Sequence, residues 1–135
     1  MRGTAALALT GLALFACSSL QAGTSTGTSL RVSYWEDGSD ARPDAVWTLR
    51  CYPAGGSLAR PPRACRKLAA GGAKLFASFP PDAVCTEIYG GPQRARIVGT
   101  VAGERIWTTL TRTNGCEISR WARVSPWFLP PGGVR

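Results

Sequence analysis

Residues 45–70 read AVWTLRCYPAGGSLARPPRACRKLAA, and this stretch decides most of the fold. Residues 45–52 (AVWTLRCY) have the composition of a β-strand. The Gly- and Pro-rich residues 53–62 predict a loop. Pro62 then begins a short helix, because Pro is favoured in the first helical turn, and the Gly-Gly pair at 71–72 ends it. The stretch therefore predicts a strand and a helix that are joined by a loop.

Three further strands are predicted around this stretch. Residues 29–35 (SLRVSYW) alternate apolar and polar side chains. Residues 94–101 (RARIVGTV) and 104–111 (ERIWTTLT) are separated by Ala102-Gly103, which is a hairpin signal. The order strand, strand, helix, strand, strand, with hairpin-like connections, predicts an α+β domain on an antiparallel sheet.

The remaining segments predict loops and turns. A second turn of helix is expected near residues 74–78, before Pro80-Pro81. Asn114-Gly115-Cys116 predicts a turn, and the Pro- and Gly-rich end of the chain at Arg135 is expected to fray. The aromatic side chains expected to pack back from this tail are Trp121, Trp127 and Phe128.

The N-terminal residues predict export. After Arg2, residues 4–16 (TAALALTGLALFA) form an apolar run that is shorter than the roughly 20 residues needed to span a bilayer. Residues 1–16 are therefore interpreted as a cleaved signal peptide. Leu14-Phe15-Ala16-Cys17 resembles a bacterial lipobox, in which the cysteine becomes the lipid-bearing N-terminus. A cut after Ala22 would instead give a freely secreted protein.

The lipobox interpretation divides the chain into three parts. Residues 1–16 are the signal peptide, residues 17–28 are the lipidated Cys17 with an uncharged Ser-, Thr- and Gly-rich tether, and residues 29–135 are the folded domain. The protein is then extracellular and anchored to the outer face of the cell membrane.

The cysteine count agrees with this interpretation. The five cysteines are Cys17, Cys51, Cys65, Cys85 and Cys116. Four of them are expected to pair in an oxidising compartment, and the odd one is the lipobox residue. Four cysteines allow three connectivities, of which Cys51–Cys65 with Cys85–Cys116 closes the shorter loops and is preferred.

The absence of histidine excludes several functions. The chain has no His, so neither a Ser-His-Asp or Cys-His catalytic site nor a His-based zinc site can be built. The carboxylates of Asp37, Asp40, Asp44 and Glu104 have no spacing that marks an acid–base pair. We therefore expect no enzyme, no cofactor and no metal.

Several short stretches of the sequence together resemble one family. Residues 48–53 (TLRCYP), the Gly-Gly pair at 55–56, residues 62–68 (PRACRKL), residues 85–89 (CTEIY) and residues 114–116 (NGC) resemble Streptomyces subtilisin inhibitor-like proteins. The likeness covers about residues 29–121. The cysteine spacings and the flanking residues make it specific in combination, whereas each stretch alone is weak.

The resemblance implies a fold and a pairing. It implies a five-stranded antiparallel sheet with two short helices and two disulfides, Cys51–Cys65 and Cys85–Cys116. It also implies inhibition of subtilisin-like serine proteases, and a homodimer through sheet faces is common in the family.

The resemblance also assigns a reactive-site loop. Its residues are Cys85, Thr86, Glu87, Ile88 and Tyr89, with the scissile bond between Glu87 and Ile88. A protease binds its substrate as an added extended strand, so an inhibitor must offer such a strand already rigid. Cys85 would anchor the loop through Cys116, and the Asn114 side chain would brace the loop backbone.

Two alternatives stay open. Thr86 replaces a common Pro, Gly90-Gly91-Pro92 replaces Asp-Pro, and Glu87 suits a large apolar pocket poorly. These departures favour a non-inhibitory cell-envelope lipoprotein that uses the same fold as a binding module. The second alternative is a polyanion-binding surface, because the formal net charge is +8. Aromatic residues are not interleaved as a stacking platform, and no nucleic-acid partner is expected. The basic residues considered are Arg94, Arg96, Arg105 and Arg112 near the hairpin and Arg60, Arg63, Arg66 and Lys67 near the helix.

Overall fold

Two helices pack against one face of an antiparallel four-stranded sheet. The computed structural model describes residues 27–132, so the predicted signal peptide, Cys17 and the cut after Ala22 lie outside the described residues. None of the helices within that range is long and apolar enough to cross a membrane. The elements are β1 (Thr28–Trp35), β2 (Ala45–Cys51), α1 (Pro61–Gly71), a 3-10 helix (Gly72–Phe76), β3 (Arg94–Val101), β4 (Glu104–Leu110) and α2 (Gly115–Val124).

The four strands form one sheet, and side chains alternate between its two faces along each strand. The strand order is β2-β1-β3-β4, and every neighbouring pair is antiparallel. Val32 at the centre of β1 lies opposite Trp47 on β2 and Ile97 on β3. The predicted hairpin between β3 and β4 is confirmed: Ala102 and Gly103 both have positive φ, at 48° and 81°, as a type I′ turn requires.

The strand count implied by the resemblance was wrong. The residue patterns predicted four strands, and residues 27–132 contain four rather than five. Residues 77–93 connect the 3-10 helix to β3 without forming a strand. Pro80, Pro81 and Pro92 lie in this connection, and proline cannot donate a hydrogen bond to a sheet ladder. The α+β class with two helices and two disulfides is confirmed.

The strand–loop–helix unit forms as predicted. Helix α1 has prolines in its first turn and is followed by Gly72, whose φ is 59°. The Cys51–Cys65 disulfide joins the end of β2 to α1, with a Cα–Cα distance of 5.7 Å. Leu68 of α1 is buried beside this bond in the core.

Helix α2 replaces the turn that was predicted at residues 114–116, and the prediction that Trp121, Trp127 and Phe128 pack back is confirmed. The Asn114 side chain accepts a hydrogen bond from the Glu117 main-chain N–H at 3.0 Å, which caps the helix at its start. Trp121 and Val124, three residues apart, are buried on its inner side. The residues after α2 also pack against the core, where Phe128 is only 1% exposed.

The core lies between the sheet and the two helices. Tyr34 of β1 packs against Trp47 at 5.8 Å and against Trp121 of α2 at 6.3 Å between ring centroids. Phe76 contacts Phe128 edge to face at 5.7 Å. Apolar burial of this kind is the main favourable term in folding. The largest fully buried side chains are Phe128, Leu49, Ile97, Leu110, Val32 and Val124.

We predict that Leu110→Ala lowers the free energy of unfolding by about 2–5 kcal/mol, because it opens a cavity in the core. Leu110 ends β4 and is fully buried. Urea unfolding measures the change. The matched control is Thr109→Ala, at the exposed neighbouring position, which should change the value by no more than about 0.5 kcal/mol. Equal losses in both variants would contradict the assignment of the two sheet faces.

Candidate functional site

The connection between the 3-10 helix and β3, residues 77–93, exposes apolar side chains. Seven large hydrophobic side chains are well exposed within residues 27–132, and four of them belong to this segment. Phe79 is 41% exposed, Val84 99%, Ile88 62% and Tyr89 62%. Contiguous apolar exposure on a small protein marks an interaction surface. The segment is therefore the strongest candidate site in the described part of the chain.

Three bonds attach this segment to residues 112–116, which lead from the end of β4 into the first turn of α2. The Cys85–Cys116 disulfide has a Cα–Cα distance of 5.3 Å. The Gly115 N–H donates to the Thr86 carbonyl at 2.9 Å. The Gly90 N–H donates to the carbonyl of Arg112 at 2.7 Å. Two of these attachments precede residues 87–89, and the third follows them.

The residues between these attachments face solvent. The side chains of Glu87, Ile88 and Tyr89 are exposed, as is that of Thr86. Residues 87–89 make no hydrogen bond to another main-chain group in the range 27–132. The Glu87 carboxylate likewise forms no ion pair with any described residue. This short stretch therefore offers both its main chain and its side chains to a partner.

Two glycines allow the close approach of the two segments. A Cβ at Gly115 would lie 2.0 Å from the Thr86 hydroxyl oxygen. A Cβ at Gly90 would lie 2.9 Å from the Ile118 side chain and 3.2 Å from the Arg112 carbonyl oxygen. Gly90, one of the departures from the family pattern, is buried and packed rather than loose.

Arg112 lies beneath the segment and was missed as a site residue. Its side chain is 4% exposed and donates to the Gln93 side-chain oxygen at 3.1 Å. Its own carbonyl accepts the Gly90 hydrogen bond. Its inclusion among the basic residues of a polyanion-binding surface was therefore wrong. The sequence carries no signal for this burial, because Gln93 and Arg112 meet only after the sheet has formed.

Asn114 lies next to the site but has a different observed contact. Its side-chain oxygen caps α2 by accepting from Glu117 N–H. This contact fixes the start of the helix that carries Gly115 and Cys116. The predicted brace from the Asn114 side chain to the loop backbone stays a prediction. The observed support comes from the Gly115 N–H, the Arg112 carbonyl and the disulfide.

Comparison with known protein families identifies one family that matches most of the chain. A family model described as subtilisin inhibitor-like matches residues 17–114, which is more than half of the chain. The chain belongs to the subtilisin inhibitor-like family. Members of this family are protease inhibitors and not enzymes, which accords with the lack of histidine. The family and the two disulfides support an extracellular location.

A solved structure agrees with the family at the level of the fold. The chain is similar to one in the crystal structure of Streptomyces caespitosus sermetstatin in complex with Bacillus licheniformis subtilisin. The match has 26% identity and a TM-score of 0.52, and it covers 77% of this chain and 99% of the other. A search of curated proteins finds no match. The family and the fold together support protease inhibition.

We predict that Gly115→Ala lowers the free energy of unfolding by about 1–3 kcal/mol, because the added methyl group overlaps the Thr86 hydroxyl. Hydrogen exchange at the Gly90 and Gly115 amides should become faster as the attachment loosens. The double variant Thr86→Ala/Gly115→Ala removes the overlapping oxygen and should recover most of the loss. Full stability in the single variant would contradict the close contact between the two segments.

Proposed function

We propose that the chain inhibits a serine protease of the subtilisin type, with residues 85–89 as a substrate-like loop and Glu87–Ile88 as the scissile bond. The observation that carries the proposal is the attachment of an exposed loop on both sides of that bond. Membership of the family supports the activity. The sermetstatin complex, which contains subtilisin, supports the class of target.

The direction of the main-chain groups fits recognition by strand addition. In an extended segment the N–H and C=O groups of successive residues point to opposite sides. The Thr86 carbonyl points inward, to Gly115 N–H. An extended conformation at residues 85–87 would direct the main-chain groups of Cys85 and Glu87 outward, where an active-site strand of the protease can pair with them.

The attachments explain why such a loop would inhibit rather than be digested. A loop already held in place loses little conformational entropy when it docks. If the Glu87–Ile88 bond is cut, Cys85 holds the new end on one side and the Gly90 hydrogen bond holds the other. The two ends stay close together, which favours religation over release.

Glu87 narrows the class of target. The residue before the scissile bond enters the specificity pocket of the protease. A carboxylate in an apolar pocket would lose its hydration without gaining a partner. We therefore propose a target whose pocket supplies a cationic or hydrogen-bonding partner for an acidic side chain.

We predict stoichiometric inhibition of a Glu-specific endopeptidase in a panel that also contains subtilisin, trypsin and chymotrypsin. Glu87→Leu should weaken inhibition of the Glu-specific enzyme by about a hundredfold or more, since a buried partner left unpaired costs about 3–5 kcal/mol. The same variant should gain inhibition of subtilisin and chymotrypsin. The control is Glu104→Leu at the exposed start of β4. It should change the inhibition constant for none of these proteases.

Mass spectrometry of each mixture completes the panel. Slow, incomplete cutting at Glu87–Ile88 is expected of an inhibitor. Rapid and complete digestion of the loop, or no inhibition of any protease, would sink the proposal. That result would leave the alternative, a non-inhibitory cell-envelope lipoprotein that uses the fold to bind another partner, to be sought by pull-down. Glu87 and Thr86 are the departures from the family pattern that favour it.

We also propose that Cys17 carries a lipid and anchors the protein to the outer face of the cell membrane. The support is that the other four cysteines all pair with each other. Expression in a lipoprotein-processing bacterium should give a detergent-phase protein with the mass of a diacylglyceryl group on Cys17. Cys17→Ser should lack the diacylglyceryl mass, because the variant has no thiol to carry the lipid. An unmodified wild-type protein that begins after Ala22 would show secretion without an anchor.

A further inference from the structure

The outward face of the sheet concentrates positive charge. Strand alternation places one set of side chains on the core and the other set on this face. The exposed arginines of the outward set are Arg31, Arg50, Arg96 and Arg105. Arg31 lies on the central strand β1, opposite Thr48 on β2 and Val98 on β3. We call these four residues and the side chains between them the arginine face.

The charge of the arginine face is uncompensated. None of the four arginines makes an ion pair or a side-chain hydrogen bond within residues 27–132. No Asp or Glu occupies an outward position on the four strands. Arg94, at one corner, is different: it pairs with Asp40 at 2.8 Å and lies over the Trp35 ring at 4.6 Å. The four arginines of the face are therefore available to bind an anionic partner.

An exposed tryptophan lies in the same face. Trp107 is opposite Val98 and is 75% exposed, and Val46 on the other edge strand is 37% exposed. Tryptophan with one apolar and one polar end is enriched where protein meets a membrane surface. Arginine and lysine attract anionic lipid headgroups. The arginine face thus combines tryptophan and arginine, the two kinds of side chain that favour contact with a membrane surface.

We propose that the arginine face docks on an anionic lipid bilayer. Charge complementarity selects this occupant over a second copy of the chain, because a face-to-face dimer would place two sets of unpaired arginines against each other. The proposed lipid anchor is compatible with this docking. Cys17 precedes Thr28 by eleven residues, a span of at most about 40 Å, so an anchored domain would lie near the bilayer. The docking does not depend on a lipid at Cys17, because the charges belong to the folded domain.

The test measures how the mature chain, residues 17–135 with Cys17→Ser in every variant, partitions onto vesicles. Vesicles of phosphatidylglycerol with phosphatidylcholine should bind it, and phosphatidylcholine alone should not. Arg31→Ser/Arg96→Ser should weaken partition by about thirtyfold, from the contribution of each basic side chain near an anionic surface. The control Arg63→Ser/Arg66→Ser removes the same charge from exposed positions on α1 and should have a much smaller effect.

Tryptophan fluorescence gives an independent readout. Quenching by brominated lipid should be strong in the wild type and lost in Trp107→Phe, since the other four tryptophans are buried or partly buried. If both double arginine variants weakened vesicle binding equally, binding would depend on net charge alone and not on the arginine face. That result would overturn the proposal. Tight binding to soluble polyphosphate without vesicle binding would assign the face to an anionic polymer instead. A stable dimer that protects Trp107 would likewise overturn it. Protease inhibition, measured on the same samples, reports separately on the loop.

Discussion

The Cys85–Cys116 disulfide is the constraint on which the exposed loop depends. It bonds a segment with few core contacts of its own to the first turn of α2, across 31 residues of chain. Helix α2 is in turn fixed by its Asn114 cap and by Trp121 and Val124 in the core. The loop therefore takes its position from the sheet and the helix rather than from local propensity. A cross-link over a loop of this length also restricts the unfolded chain, typically stabilising a domain by about 2–4 kcal/mol.

The hydrogen bonds around that disulfide extend its effect along the loop. A single covalent bond fixes one point and leaves the segment free to swing about it. The Thr86 and Gly90 hydrogen bonds add a point on each side of Glu87 and Ile88. Arg112 supports the second of these points twice, through its carbonyl and through its buried side chain on Gln93. Three points define an orientation as well as a position, which is what a protease active site would recognise.

Local sequence patterns predicted the sheet and α1 but not the support of the loop. Strand alternation, the turn at Ala102-Gly103 and the prolines before α1 act through neighbouring residues, so they could be recognised in the sequence. Helix α2 was missed because Gly115 and Cys116 resemble a turn. The signal was Asn114 followed by Glu117, with apolar Ile118, Trp121 and Val124 at helical spacing. The burial of Arg112 depends on contacts between distant segments, and no local pattern contains it. The fifth strand was an implication of the family rather than of these residues.

The residues that hold the loop in place and the residues proposed to select its target are different sets. Cys85, Gly90, Gly115 and Cys116 have identities imposed by a bond or a close contact, so replacing any of them strains the fold. Glu87 and Ile88 contact solvent and make no described bond, so the fold leaves them free to vary. Family membership therefore carries over the scaffold of the loop and the class of activity. It does not carry over the specificity, because the stability of the domain places no constraint on Glu87, the side chain proposed to enter the protease pocket.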